Sequence, residues 1–449
     1  MTFICDRQTA TDLDLFEKPR GEASVFSLFN CTRSTGGKLK LEMLFAYPLS
    51  DINTLEERVS MIRYLCVNRN QLHINRENLN FTEIYLKQQN VPYRTSRLTS
   101  IRKAIYYALK PNNEYYLIQR GVKQLTDLII YLYDFFCALD EDQLPEILEN
   151  YRQTVINRVK KTRLKNVLTL RKKEKLNAQD TGRLDFYFRR KEKSSVRDLL
   201  ELVYFMDAFQ SVAEASVKHC FSLPTFIRNK GSFNITGLFH PFLENPVVND
   251  FSSIPGKRVC FLTGPNMAGK STFLKALSIS VYLAHLGFPV PAANMQLPVF
   301  NGLLTTINLS DNINKGYSHF MNEIMRIKHV AAQLRINNNL FVVFDELFRG
   351  TNVKDAFDGS LSVINAFSKH EKGFFAISTH LVEVAEQLAG NENVFFNCFE
   401  ARLDLEIPVY NYKIREGISK ERIGLYLLKK EKVIEEIENA GKEESAGKS

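Results

Sequence analysis

Hydrophobic and polar positions divide the chain into two regimes. From Leu55 to about Phe221, apolar residues recur at helical intervals with few glycines between them, which predicts a mostly helical region. Beyond it, short uninterrupted apolar runs take over. Phe261-Leu-Thr263 and Leu340-Phe-Val-Val-Phe344 read as strands buried on both faces of a parallel sheet, and another apolar strand precedes Ser378-Thr-His380. Tyr410 to Ser419 reads as a last strand and turn. Ser419 then opens a helix carrying Ile423, Leu427 and Leu428, with Glu421 early, where it complements the helix dipole. Nearer the N-terminus, a helix is expected to begin after the small-residue turn Cys31 to Lys38 and to break before Pro48, which lacks the N–H a helix interior requires.

The junction after Phe261-Leu-Thr263 carries the chemistry. Gly264, Pro265, Asn266, Met267, Ala268, Gly269, Lys270, Ser271 and Thr272 follow the spacing GxxxxGKS between a strand and a helix. The two glycines let the backbone wrap so that its N–H groups point inward. Lys270 can then reach the β and γ phosphates of a nucleotide, and Ser271 can ligate Mg²⁺ at the positive end of the helix. Asp345 and Glu346 end the second apolar run, at the edge of an open α/β sheet where ligands bind. Asp345 is placed to hold Mg²⁺ through water and Glu346 to polarise an attacking water.

The wording GPNMAGKST, then FDELFRGT with Gly359 in the following helix, then Ser378-Thr-His380, resembles the MutS family of DNA mismatch repair ATPases. The resemblance starts at His240 and Pro241 and includes a segment ending Asn249-Asp250, which in the family lies against the base and ribose. The stretch Ser310 to Glu323 resembles the family's signature loop, with His319 where Thr is usual; there Ser318 would reach the γ-phosphate bound by a partner subunit. The resemblance also makes His380 a γ-phosphate sensor and lets Arg349 and Thr351 couple the site to a dimer interface. Cys31 to Lys38, Tyr47 to Ile52 and Arg58 resemble the opening of the family's helical lever core, and the C-terminal helix its helix-turn-helix dimer segment. The implied fold is an α/β P-loop, ABC-type nucleotide-binding domain preceded by an all-α lever domain. The expected divisions are 1–235, 236–428 with the dimerisation segment, and a charged tail at 429–449.

The family's mismatch reader and connector domains are expected to be missing, because the chain opens almost at the lever core. Phe81-Thr-Glu83 and Phe242-Leu-Glu244 match the reader's Phe-x-Glu pattern only as chance tripeptides. With 449 residues, 24% of them charged, the chain is long enough for two or three domains. The longest apolar stretch, Leu128 to Leu139, is too short to span a membrane and contains Asp134. Seven cysteines without a CxxC pair suggest neither a disulfide framework nor a zinc site, so a reducing cytoplasm is expected. The net charge of +9 concentrates between Arg152 and Lys193, where the stretch Arg158 to Lys175 would contact a DNA backbone without reading sequence.

The resulting expectation is a homodimeric ATP hydrolase using ATP and Mg²⁺, acting on DNA in mismatch repair or a related transaction, with repair proteins as further partners. Two alternatives stay open: an ATPase on branched or undamaged nucleic acid, and a nucleotide-switched regulator with negligible turnover. The absence of an LSGGQ-like signature and the helical region ahead of the cradle weigh against a transporter-type ATPase.

Overall fold

The computed structural model describes residues 3–17, 21–68, 71–89, 113–140, 143–228, 232–307, 319–349, 351–404 and 407–419. The chain opens with β1 (Ile4–Cys5), α1 (Arg7–Asp12) and α2 (Val25–Phe29). A helical region follows: α3 (Thr35–Ala46), α4 (Ile52–Val67), α5 (Arg76–Leu86), α6 (Asn113–Cys137), α7 (Glu146–Lys160), α8 (Lys165–Leu168), α9 (Ala178–Phe186), a π-helical turn (Tyr187–Lys191) and α10 (Lys193–Lys218). The remainder alternates: β2 (Thr225–Ile227), β3 (Asn234–Leu238), β4 (Asn249–Ser252), β5 (Val259–Thr263), α11 (Lys270–His285), β6 (Asn294–Pro298), β7 (Gly302–Thr306), α12 (His319–Asn337), β8 (Leu340–Phe344), α13 (Val353–Ser368), β9 (Phe374–Ser378), α14 (Val382–Leu388), β10 (Val394–Asp404) and β11 (Ile407–Glu416).

The architecture is mixed α/β. Seven strands run in the order β1-β7-β8-β9-β5-β10-β11, parallel except for the antiparallel pair β10 and β11. Every residue of β5, β7, β8 and β9 is buried, which is why β5, β8 and β9 are largely apolar runs, while the buried Thr305 and Thr306 of β7 are hydrogen-bonded. A second sheet of four strands has the order β2-β6-β3-β4.

Two details depart from the expected division at residue 235. That position falls inside β3, and β3 pairs with β4 and β6 from beyond it. The N-terminal residues also leave the helical region, because β1 pairs parallel to β7 as an edge strand. They are pinned there by buried polar groups: Thr9 Oγ1 accepts the Thr305 N–H at 2.9 Å, and Asp12 accepts the Thr305 hydroxyl at 2.8 Å. Arg326 of α12 completes the attachment by donating to Asp6 and, at 2.6 Å, to the Thr305 carbonyl.

The glycines at 36 and 37 lie inside the first turn of α3 and not in a turn ahead of it, since Ser34 is the N-cap and accepts the Gly37 N–H. They are small because α10 crosses there. A Cβ on Gly37 would lie 2.0 Å from Asp207 Oδ2, and one on Gly36 would lie 2.4 Å from the Tyr204 ring. Buried Asp207 in turn accepts the N–H groups of Arg33 and Ser34, at 2.9 and 2.8 Å, and the Ser34 hydroxyl at 2.6 Å.

The helical region and the seven-stranded sheet share one hydrophobic cluster, and α11 links them. Its C-terminal half is gripped by the helices. Tyr282 donates to the Phe45 carbonyl at 2.7 Å, the His285 carbonyl accepts the Leu49 N–H, and Arg58 of α4 donates to the Leu286 carbonyl at 2.7 Å. Among the described residues no helix is long and apolar enough to cross a membrane. The helix expected after Ser419 and the tail 429–449 lie outside the described residues.

Candidate active site

Because β8, β9 and β5 are adjacent and parallel, their C-terminal ends open at one edge of the sheet. The chain places its candidate chemistry at that edge. After β5, Gly264 takes φ +145°, and its missing Cβ would otherwise stand 2.7 Å from the Phe399 carbonyl oxygen of β10. Met267 follows at φ +67° and is 76% exposed, and Gly269, at φ +104°, caps α11. The turn therefore needs glycine at two points for different reasons: close approach of another strand at Gly264 and a left-handed cap at Gly269.

Lys270 begins α11 and is 5% exposed. Its ammonium donates to the carbonyls of Gly264 and Pro265, at 2.7 and 3.1 Å, so the lysine curls back over its own loop. Burial pushes its pKa below the usual lysine value, while the carboxylates of Glu346 and Asp345 act in the opposite direction. Asp345 shows the converse balance. Burial raises its pKa above the ordinary carboxylate range, against hydrogen bonds from Ser271 and Ser378 and the nearby Lys270 charge; the Glu346 charge adds to the rise. Ser271, Lys270, Asp345 and Glu346 thus act on one another across the ends of β5 and β8.

The turn after β8 is tightly specified. Glu346 and Phe348 both have left-handed backbones, φ +55° and +60°, and are held so from outside. The Ser378 hydroxyl accepts the Glu346 N–H at 3.1 Å and donates to the Asp345 carboxylate, and the Ser378 carbonyl accepts the Leu347 N–H at 3.3 Å. Phe348 packs between Phe320 of α12, with ring centroids 5.4 Å apart, and Gly359 of α13, whose missing Cβ would lie 2.9 Å from the Phe348 ring. Glu346 pairs with Arg349 at 3.3 Å, and the Arg349 N–H reaches Glu323 of α12 at 3.3 Å. Thr351 is half-buried just before α13, and His380 is exposed directly after buried Thr379 at the end of β9.

Asn249 sits at the start of β4, and its side chain faces β11: it donates to the Tyr412 carbonyl at 3.0 Å and accepts the Ile414 N–H at 2.8 Å. Asp250 accepts the Gly237 N–H at 2.7 Å, within the β3–β4 irregularity. His240 and Pro241 lie in the loop after β3, with burial holding the His240 pKa below the usual histidine value. By fixing β11, Asn249 fixes Tyr412, a residue with φ +53° whose ring Cδ1 would be 3.4 Å from a Cβ on Gly269 and which is 43% exposed. In the sequence, Tyr412 carries no local mark beyond the Tyr410-x-Tyr412 alternation, and Ser378 none beyond its place before Thr379 and His380. Ser318 and residues 310–317 lie outside the described residues.

The basic stretch is less available than its composition implied. Arg158 pairs with Asp198 at 2.7 Å, Arg171 with Asp134 and Lys173 with Asp180 at 2.8 Å. Lys160 lies over the Tyr133 ring and Arg163 over Tyr187. The surrounding acids, spread through α6, α9 and α10 in sequence, converge on this stretch only in the fold.

The model of the family "MutS domain V" matches residues 260–446, which include β5, the loop after it and the acidic turn after β8. The chain is 25% identical over 307 residues to a DNA mismatch repair protein MutS of Petrotoga mobilis, covering 66% of this chain and 37% of that protein. It is 27% identical over 303 residues to the protein of the same name from Listeria welshimeri, covering 61% and 34%. To that of Ehrlichia ruminantium it is 32% identical over 227 residues, covering 50% and 28%. The chain spans about a third of the length of these curated relatives.

Proposed function

We propose that this chain is a MutS-family protein, on the match of residues 260–446 to MutS domain V and its similarity to DNA mismatch repair proteins MutS, and that it is a Mg²⁺-dependent ATP hydrolase of P-loop, ABC-type fold that couples nucleotide turnover to DNA binding. The observation that carries the reading is the gathering of Lys270, Ser271, Asp345 and Glu346 at the ends of parallel strands β5 and β8, one strand apart, with the Lys270, Asp345 and Glu346 charges acting on one another and Ser271 hydrogen-bonded to Asp345.

Each residue then has a role. The loop from Gly264 to Thr272 cradles phosphates with its N–H groups, and Lys270 exchanges its two loop carbonyls for phosphate oxygens. Ser271 and Asp345 fit a hard cation, since a hydroxyl and a buried carboxylate are oxygen donors brought together. Bound there, Mg²⁺ would neutralise phosphate charge. Glu346 orients the attacking water, and Ser378 holds it in position through the backbone. His380 faces the same edge as a γ-phosphate sensor, and Tyr412 offers an exposed ring beside the cradle against which a base can stack.

Coupling follows from α11. One end of this helix carries Lys270 and Ser271; about 24 Å away, its other end is held by Phe45, Leu49 and Arg58 of the helical region. A shift of the cradle therefore moves the helices. We assign residues 1–235 mainly to this responding part and 236–428 to the nucleotide-binding part, with β1 and β3 as the exceptions described above. A homodimer in which Ser318 and Arg349 meet the partner's nucleotide site completes the proposal.

The test is steady-state ATP hydrolysis with no DNA, matched duplex, mismatched duplex and a four-way junction, each at two salt concentrations. Hydrolysis stimulated by DNA supports the reading, and the preferred DNA identifies the transaction. A protein that hydrolyses ATP with no response to any DNA would confine the proposal to a partner-regulated ATPase, and one without hydrolysis would refute it.

A further inference from the structure

We propose that the cleft between α10 and the C-terminal end of α5 binds the phosphodiester backbone of DNA, with Arg190, Lys193 and Arg197 as the phosphate contacts. The inference rests on the DNA-binding reading above and adds a location to it. The cleft has a volume of about 800 Å³ and lies on the half of α10 remote from the residue, Lys218, that leads into the sheets.

Three observations converge on it. First, Lys193 and Arg197 are spaced i and i+4 on one face of α10, and Arg190 precedes them in the π-helical turn. All three line the cleft, are exposed and have no ion-pair partner among the described residues. Lys87 on the opposite wall, its side chain 81% exposed, pairs with Glu83 at 4.0 Å. Second, the acids of the cleft are already paired, Glu83 with Lys87 and Glu201 with Lys40, which leaves the charges of Arg190, Lys193 and Arg197 unbalanced. The site is therefore strongly positive.

Third, the π-helical turn Tyr187–Lys191 sorts the arginines. Arg189 points inward, where it grips buried Asp185 at 2.6 and 2.7 Å, and Asp185 also accepts the Tyr85 hydroxyl at 2.8 Å. Arg190 is left facing solvent. Such single wide turns recur at functional sites, and here the turn combines an internal anchor with an outward cation. The contrast is with Arg158, Arg171 and Lys173, each tied to an internal acid.

The same geometry disfavours an acidic amphipathic helix as the occupant. Phe188, Val196 and Leu200 line the floor but are buried; Leu39 on the α3 side is 59% exposed, and a single exposed leucine falls short of the row of apolar anchors that a docked helix needs. A polyanionic backbone needs only the cations. Its recognition is sequence-independent and salt-sensitive.

The experiment measures binding of the full chain to a fluorescent 30-base-pair duplex across a range of salt concentrations. The triple variant R190Q/K193Q/R197Q is compared with K161Q/K165Q/K172Q, which removes the same charge from exposed positions of the Arg158–Lys175 stretch. The cleft variant should bind at least tenfold more weakly at low salt, with a log–log salt slope shallower by about 2.7, since each phosphate contact contributes about 0.9. The other triple variant should change the slope by less than about 1. Equal effects of the two, or an effect of the second alone, would overturn the proposal while leaving DNA binding intact. A wild-type protein that does not bind the duplex would overturn the DNA reading and this location together. Should the triple variant melt early, K193Q alone must still lower the slope by about 0.9, and an unchanged slope counts against the site.

Discussion

The hydroxyl of Ser378, at the end of β9, donates to the Asp345 carboxylate and accepts the Glu346 N–H at 3.1 Å. One buried side chain therefore sets both acids at once: it orients the carboxylate proposed to hold Mg²⁺ and stabilises the left-handed backbone from which the proposed general base projects. Ser378→Ala should lower kcat for ATP by about tenfold or more, with metal-free nucleotide affinity within about twofold of wild type, because the cradle itself is untouched. Ser378→Thr keeps the hydroxyl and should restore most of the rate. Equal kcat for the Ala variant and wild type would remove Ser378 from the site.

Gly37 presses α3 against α10 so closely that a Cβ would lie 2.0 Å from Asp207 Oδ2. Gly37→Ala should cost about 2–4 kcal/mol of stability, through overpacking and displacement of a carboxylate holding two N–H groups and a hydroxyl. Gly390→Ala, with nothing within 4 Å of the added carbon, is the control and should shift the urea midpoint little. Similar midpoints for the two variants would contradict the packing account.

His285 is fully buried, with Nδ1 against the Val281 carbonyl at 2.8 Å and Nε2 accepting the Phe300 N–H at 2.9 Å. Both nitrogens are thus used by the neutral ring, and burial lowers its pKa to about 4. Between pH 6.5 and 4 the unfolded chain binds a proton at this site that the folded chain refuses. Stability should therefore rise with pH across that window, by about 3 kcal/mol from this residue. In urea unfolding at pH 4.5 and 7.5, the stability difference should shrink by about that order in His285→Gln; an identical difference would show that His285 is not the cause.

Arg58 ties α4 to the far end of α11 through the Leu286 carbonyl, and Gly287, at φ +67°, is packed against its stem. If nucleotide state reaches the helical region through α11, Arg58→Ala should leave basal hydrolysis within about threefold of wild type and at least halve its stimulation by duplex DNA. Undiminished stimulation would place the coupling elsewhere.

What could be read from the sequence was whatever depends on local pattern. The continuous apolar runs located β5, β8 and β9 because strands buried on both faces have no polar face to show. The GxxxxGKS spacing located the cradle because its backbone geometry requires glycine at fixed positions. What escaped depends on residues distant in sequence. Nothing local marks Ile4–Cys5 as an edge strand, since its partner is about 300 residues away and its anchor, Arg326, lies on α12. The glycines at 36 and 37 looked like a turn because the helix that demands their smallness is α10. Arg158, Arg171 and Lys173 looked free because their acids come from other helices. Tyr412 gained its place beside Gly269 through the pairing of β11 with β10 and through Asn249, a residue on a different sheet.

The central claim is that Lys270 and Glu346 act on one bound nucleotide in separate roles. The direct test measures ATP binding and single-turnover hydrolysis together in wild type, Lys270→Ala and Glu346→Gln, with Mg²⁺ present. Wild type should bind and hydrolyse; Lys270→Ala should lose nucleotide affinity by about 100-fold or more; and Glu346→Gln should retain bound ATP while its hydrolysis falls by at least about 100-fold. Tight ATP binding by Lys270→Ala, or undiminished hydrolysis by Glu346→Gln, would contradict the account.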